Sequence, residues 1–380
     1  MIYLDANATT PLLPEVLEAM MPWLREHYAN PSGSYAEAKL ARRAIENARE
    51  QVASLIGAAP EEIVFTSGGT ESVNAALRSL DALVGPGAAV ISAIEHSAVL
   101  RTVGEFSREA ARVPVGAGGR VDLEALGLAL ERAAFVSVMA ANNETGVIQP
   151  LREVVALAHE KGLAVHTDAV QAAGKISLDV RALGVDLLSL SAHKFHGPKG
   201  VGALYVRGGL RFKASQHGGG QESGRRSGTE NTAGIVGMGA AAMAAAGRAV
   251  TSEMRDAFEA RVREEISGVT VNGDVAHRLP NTSHLSFDSC DAAGLLILLD
   301  EAGIACSAGS ACMTGKQQPS HVQLAMGIPE ARAKSSLRVS FSKLSTMEEA
   351  LAAAAGLRKA VEKLRRVQGS GVGPVVVYSP

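Results

Sequence analysis

Residues 151–200 read LREVVALAHEKGLAVHTDAVQAAGKISLDVRALGVDLLSLSAHKFHGPKG. From Leu151 to Lys161 the apolar positions recur at helical spacing, and Gly162 stops the pattern. Two short apolar runs follow, Leu163–His166 and Asp186–Leu190, each ending in polar residues. Upstream, Ile63–Phe65, Ala88–Ala93 and Phe135–Ala140 repeat the same alternation of short apolar run and helical stretch. Strands separated by helices must be joined by crossovers, so these segments predict a mostly parallel sheet and an α/β core. Ahead of them, Leu40, Ala44, Ile45, Ala48, Val52, Leu55 and Ile56 fall at three- and four-residue steps, an amphipathic helix over Ala36–Ile56 ended by Gly57.

Beyond Arg207 the texture changes. A Gly-rich loop at Gly218–Gly228 precedes an Ala/Gly helix from Ala233 to Gly247 and a charged helix from Ser252 to Ile266. Strands are expected at Ser283–Phe287 and Leu337–Phe341, and helices at Ala292–Ala302 and Met347–Arg366. The tail Gly369–Pro380 is the one stretch that reads as disordered. At roughly 150 residues per domain, 380 residues predict two domains, with a boundary near residue 250.

The 37 Lys+Arg nearly balance 39 Asp+Glu, with both signs interspersed. That excludes the basic footprint of a nucleic-acid or anionic-membrane binder and favours a small-molecule partner. The opening MIYLDANATTP lacks the basic stretch and apolar core of a secretory signal. Ala233–Gly247 is too short, and too rich in Ala and Gly, for a membrane span. Three cysteines, Cys290, Cys306 and Cys312, are an odd number with no export signal, which predicts reduced thiols and a cytoplasmic location.

Ligands of open parallel sheets bind beyond the carboxyl ends of the strands, so the residues following each run carry the functional reading. Ile63–Phe65 leads into TSGGTES, where Gly68, Gly69 and Thr70 open a helix. Such a turn suits a phosphate, and alone it also reads as an ordinary strand-to-helix connection. Thr167 and Asp168 end the next run, with Gln171 beyond; an acid there either caps a helix or meets a ligand. Lys194, in Ser191–Gly200, taken alone is an ordinary solvated charge. Together, an anion cradle, an acid and a lysine at three strand ends are the parts needed to hold pyridoxal phosphate.

The motifs DANATTP, SGGTES, EHSAVL, NNETG, HTDAVQAAGK, SAHKFHGPKG, GGGQESGRRSGTEN and SAGSAC, in this order over nearly the whole chain, resemble the NifS/IscS-type cysteine desulfurases. Those are class V aminotransferase relatives with the pyridoxal-phosphate fold type I. The resemblance implies a large cofactor domain over 15–250, with a mostly parallel seven-stranded sheet flanked by helices. It implies a smaller α+β domain from 1–14 and 251–380. Lys194 would bond covalently to the cofactor, Asp168 would pair with the pyridinium nitrogen, and Gln171 would hydrogen-bond the phenolic oxygen. His96 would stack on the ring and carry protons, although by itself it reads as a satisfied turn histidine. Gly69, Thr70, Ser191 and His193 would hold the phosphate, with Thr229 supplied by the other subunit of a homodimer. Asn143 and Arg338 would bind the substrate carboxylate, a role that suits the planar guanidinium fork.

The cofactor serves several reactions, so a protein thiolate must decide this one by taking sulfur from bound L-cysteine and leaving alanine. Cys312, among small residues between Gly309 and Gly315, is the expected nucleophile within a cysteine loop over about 306–320 resembling the longer form of the group I enzymes. Cys306 reads as a packed apolar residue, and Cys290 matches no motif of the family. The implied partner is a sulfur-acceptor or iron–sulfur scaffold protein. No resident metal is implied; Cys312 would only transiently ligate a nascent cluster. Departures from the pattern fall at Ser223 in place of Arg, Tyr35 in place of His, Ala38 in place of Gly and Met313 in place of Thr. The competing readings are another class V activity, an aminotransferase or a selenocysteine/cysteine lyase, and a metal or cluster binder using Cys306, Cys312, His193, His196 or His321. No zinc-type spacing supports the latter.

Overall fold

The computed structural model describes residues 1–247, 251–308 and 319–369. Its strands are β1 (Ile2–Tyr3), β2 (Ile63–Thr66), β3 (Ala88–Ser92), β4 (Ala110–Val113), β5 (Ala133–Ser137), β6 (Val165–Asp168), β7 (Leu187–Ser191), β8 (Gly202–Val206), β9 (Val269–Val271), β10 (Thr282–Phe287), β11 (Ile304–Ala305) and β12 (Ser336–Ser340). Seven of them form one sheet in the order β2-β8-β7-β6-β5-β3-β4. Only β8 runs against the rest, pairing antiparallel with both β2 and β7. The α/β class and the mostly parallel seven-stranded sheet expected from the sequence are therefore present.

Both faces of this sheet are covered, and the period-two alternation of side chains shows how. Ile63, Phe65, Val136, Leu188, Leu190, Ala203 and Tyr205 point into one apolar cluster, which includes the helix Ala36–Leu55 and the Ala/Gly helix Thr232–Gly247. Val64, Phe135, Leu187, Leu204 and Val206 point the other way, against Val73, Leu77 and Leu80 of the helix Gly69–Leu83. The Ala/Gly helix is thus packed protein, and no helix among the described residues is long and apolar enough to cross a membrane.

A second cluster gathers Phe258, Val262, Leu285, Phe287, Leu295, Leu337, Val339 and Leu357, together with Leu4 from the N-terminal segment. It lies against the antiparallel sheet β12-β10-β9 and the pair β1-β11. The N-terminal residues join this cluster because β1 pairs in parallel with β11, placing Ile2 opposite Ile304.

The strand boundaries differ from the sequence reading in one place that matters. The run Phe135–Ala140 was expected to be strand throughout; β5 starts earlier and ends at Ser137, and Met139 lines the cavity described below. The tail from 370 to 380 lies outside the described residues. Of the departures from the family pattern, Tyr35 and Ser223 are exposed and Ala38 is fully buried, while Met313 falls outside the described residues.

Candidate active site

The carboxyl ends of β2, β3, β5, β6 and β7 all face one cavity of about 410 Å³. It is lined by Gly69 and Thr70 after β2, His96 after β3, Met139 and Asn143 after β5, Asp168, Val170 and Gln171 at and after β6, and Ser191, His193 and Lys194 at and after β7. Asp5, Asn7 and Ala8 of the N-terminal segment, with Ser307 and Arg338, complete the wall.

At one side the helix Gly69–Leu83 begins, presenting unpaired backbone N–H groups and the favourable end of its dipole to an anion. Thr70, Ser191 and His193 stand around it. The approach is tight. A Cβ added at Gly69 would lie 2.7 Å from Val170 Cγ2 and would fill the space the turn leaves open. Gly202 of β8 backs the same turn, where a Cβ would come within 2.6 Å of both the Gly68 carbonyl carbon and Leu190 O. Burial, with Lys194 and Lys199 nearby, pushes the His193 imidazole down to about 4, and its Nδ1 is 3.0 Å from Thr9 Oγ1. His193 therefore acts near neutrality as a hydrogen-bonding group without charge.

On the other side, Asp168 is buried, and its Oδ1 accepts from Val170 N at 2.9 Å. Burial raises its pKa, while His96 and Lys194 pull it back toward the charged form. His96 caps the helix Ser97–Gly104: its Nδ1 accepts from Ala98 N at 3.2 Å, so a neutral ring carries its proton on Nε2. Burial pushes its pKa below the ordinary value. His96 thus caps a turn and also lines the cavity. The Lys194 amine donates to Asn7 O and Ala8 O, both at 2.7 Å, and burial followed by Arg338 brings it down to about 8. An amine so shifted keeps a useful uncharged fraction at neutral pH, as a nucleophile toward an aldehyde requires.

Arg338, on β12, reaches the cavity across the junction of the two apolar clusters. Its Nη2 donates to Asp5 Oδ1 at 2.7 Å and its Nη1 to Asn143 O at 3.0 Å. Its backbone bridges Ser307, donating to Ser307 O at 2.6 Å and accepting from Ser307 N at 3.2 Å.

Ten of the twelve residues expected at the site thus line this one cavity. Thr229 does not; it is exposed in the loop before the helix Thr232–Gly247. Cys312 lies outside the described residues. Cys306 packs against the second apolar cluster, and burial pushes its thiol up to about 12. Cys290 also packs there, in the loop after β10. Sequence reasoning passed over Asp5, Asn7 and Lys175, although DANATTP and HTDAVQAAGK were both in view.

The chain belongs to the class-V aminotransferase family, whose model matches residues 2–352. Among curated relatives, a cysteine desulfurase of Cereibacter sphaeroides is 44% identical over 98% of this chain and 99% of its own. Among solved structures, a NifS-like protein superposes with a TM-score of 0.87 at 36% identity, covering 97% of this chain and 99% of that one. The structure titled SspA in complex with cysteine follows at 0.82 and 34%, covering 91% and 100%.

Family membership brings pyridoxal phosphate as cofactor. The residues fit that group. The space at Gly69 that a Cβ would fill lies at a helix N-terminus suited to phosphate, a buried carboxylate at Asp168 suits a ring cation, and the Lys194 amine is held partly uncharged.

Proposed function

We propose that this protein is a pyridoxal-phosphate-dependent cysteine desulfurase that converts L-cysteine to L-alanine and takes the sulfur onto Cys312 as a persulfide. The observation that carries the reading is the convergence of Lys194, Asp168, His96 and Arg338 on one cavity, in a chain whose curated relative bears that activity over its full length.

When bound, the cofactor supplies an electron-withdrawing ring that acidifies the α-carbon of an attached amino acid. The chain's own residues do the rest. Gly69, Thr70, Ser191 and His193 hold the phosphate, His193 by hydrogen bonding alone. Asp168 holds the ring nitrogen in its cationic form, because a cation against a buried carboxylate favours ionisation of both. Gln171 would serve the phenolic oxygen and His96 the ring, with Nε2 the His96 atom that carries the proton of the neutral imidazole. Arg338 and Asn143 fix the substrate carboxylate, and Lys194 provides the amine that binds the cofactor and moves a proton to or from the α-carbon. The Cys312 thiolate attacks the substrate sulfur; the sulfur–carbon bond breaks, a sulfur–sulfur bond forms on Cys312, and the carbon skeleton takes up a proton to leave alanine. Ser307 lines the cavity and Cys312 comes five residues later, so extended chain spans up to about 18 Å between them.

In this reading the protein is a cytoplasmic homodimer. Its exposed Thr229 completes the phosphate site of the other subunit, and the large and small domains divide near residue 250. The sulfur passes from Cys312 to an acceptor or iron–sulfur scaffold protein, with Cys312 the residue that transiently meets a nascent cluster. Recording the visible spectrum before and after L-cysteine is added, with the product identified, tests the function. A spectral change with alanine released supports it; an oxo-acid product that requires an amino acceptor would make the protein an aminotransferase.

A further inference from the structure

Lys175 is a buried lysine that pairs with no carboxylate among the described residues. It follows β6 in the same turns as Gln171, and it is 8% exposed. Its Nζ contacts two acceptors among the described residues, Gln171 Oε1 at 2.8 Å and Asn7 Oδ1 at 2.9 Å. The charged groups that bear on it are all cationic or able to become so: Lys194 and Arg338 from the cavity, with His196 and Lys343 lining the crevice on its other side. Both acceptors are oxygens, so Lys175 serves each of them as a donor. Burial together with Lys194 and Arg338 holds the group well below the ordinary lysine range.

The contact with Gln171 fixes the direction of a side chain that lines the cavity. Gln171 Oε1 accepts from Lys175, and Gln171 Nε2 donates to Asn7 O at 2.9 Å. Turning the carboxamide over would set its oxygen against the Asn7 carbonyl oxygen and its N–H groups against the Lys175 donors, so one orientation is held from both ends. The remaining Gln171 N–H, and not its oxygen, is then the polar group available to the cavity.

We propose that Lys175 is a positioning residue whose N–H donor locks the Gln171 carboxamide with one of its own N–H groups directed at the bound cofactor. This rests on the assignment of the cavity to pyridoxal phosphate. A donor against the phenolic oxygen would stabilise its anionic form and so lower the proton affinity of the Lys194 nitrogen in the cofactor-loaded protein. Releasing Gln171 weakens that effect.

The test is a pH titration of the visible band of the cofactor-loaded protein, comparing native, Lys175→Met and Lys175→Gln. The Met variant should move the midpoint upward by about one pH unit. The Gln variant keeps an N–H donor without charge and should titrate close to native. A Met midpoint equal to native overturns the proposal, since a merely structural lysine would alter stability and leave the band alone. A Gln midpoint shifted as far as that of Met also overturns it, because charge would then be what Lys175 contributes. Should the Met variant fail to fold, Lys175→Ala takes its place, with the same two outcomes read from its midpoint. A native protein with no visible band after loading would bring down the cofactor assignment and this proposal with it, a result distinct from an unchanged midpoint.

Discussion

Arg338 and Asp5 form an ion pair within the cavity wall, with Nη2 donating to Oδ1 at 2.7 Å. The guanidinium side chain is only 6% exposed, so Asp5 neutralises a charge that has little contact with water. The second fork nitrogen is held by the Asn143 carbonyl, which orients the plane of the group. The guanidinium is therefore aimed into the cavity wall before any ligand enters.

Replacing that fork by a point charge separates orientation from charge. Arg338→Lys should raise the KM for L-cysteine by about tenfold or more, with a smaller change in kcat, measured as initial rates of alanine formation. An unchanged KM would remove Arg338 from substrate binding.

The Lys194 amine, brought down to about 8 by burial and Arg338, sets the pH dependence of cofactor loading. Only the uncharged amine attacks an aldehyde, so the reconstitution rate of the cofactor-free protein should climb about tenfold per pH unit below pH 8 and level off above it. Stopped-flow absorbance from pH 6 to 9 measures this. A rate still climbing at pH 9 would mean that the amine has its ordinary affinity for protons.

The cysteines should separate cleanly. Burial pushes Cys306 up to about 12, so it stays a thiol and is a poor nucleophile near neutrality. Cys306→Ala should retain alanine formation within about threefold, whereas Cys312→Ala should lose it by about a thousandfold. Mass spectrometry after a brief cysteine pulse should find the extra sulfur on the peptide containing Cys312; finding it on that of Cys306 would reverse the assignment.

His166 bridges two strands, with Nδ1 2.8 Å from Ser137 Oγ and Nε2 2.9 Å from Ser189 Oγ, and burial pushes it from 6.5 down to about 3. The unfolded chain takes up this proton below about pH 6.5 and the folded protein does not. The contribution of the neutral ring to stability is therefore complete above pH 6.5 and declines as the solution is acidified toward pH 3. The expected slope is about 1.4 kcal/mol per pH unit, and urea denaturation of His166→Gln should show the native slope reduced by that amount.

Gly202 is placed where no side chain fits, with backbone on both sides at 2.6 Å. Gly202→Ala should destabilise the protein by about 2–4 kcal/mol and weaken cofactor retention, because the turn at Gly68 must move. Equal thermal stability and equal cofactor content after dialysis would show that the turn has slack.

The strand ends were legible in the sequence because a parallel sheet buried on both faces writes its strands as unbroken apolar runs and its functional residues immediately after them. Asp168 and Lys194 were singled out in this way, whereas Ser191 was given its role only through the family resemblance. β8 was missed because it follows β7 through a loop with only the short 3₁₀ turn Ala192–Lys194 between, which breaks the alternation. β4, whose residues are Ala110–Val113, is an edge strand with one buried position and almost no apolar signal. Asn7 and Lys175 were not legible because their roles depend on partners distant in sequence and on burial. Spacing predicts neither, and a lysine in a polar stretch is ordinarily exposed.

Asn7 has a consequence for the order in which the molecule is made. Its backbone N–H donates to Ser340 Oγ, its side chain donates to Thr282 Oγ1, and its carbonyl accepts from Gln171 and Lys194, partners up to 333 positions away. Synthesised well before β12, it must wait for that strand before its bonds can close. A growing chain can assemble the central sheet early, but catalytic competence arrives only after release of the distal third, so a stalled or shortened polypeptide would be compact and yet inert.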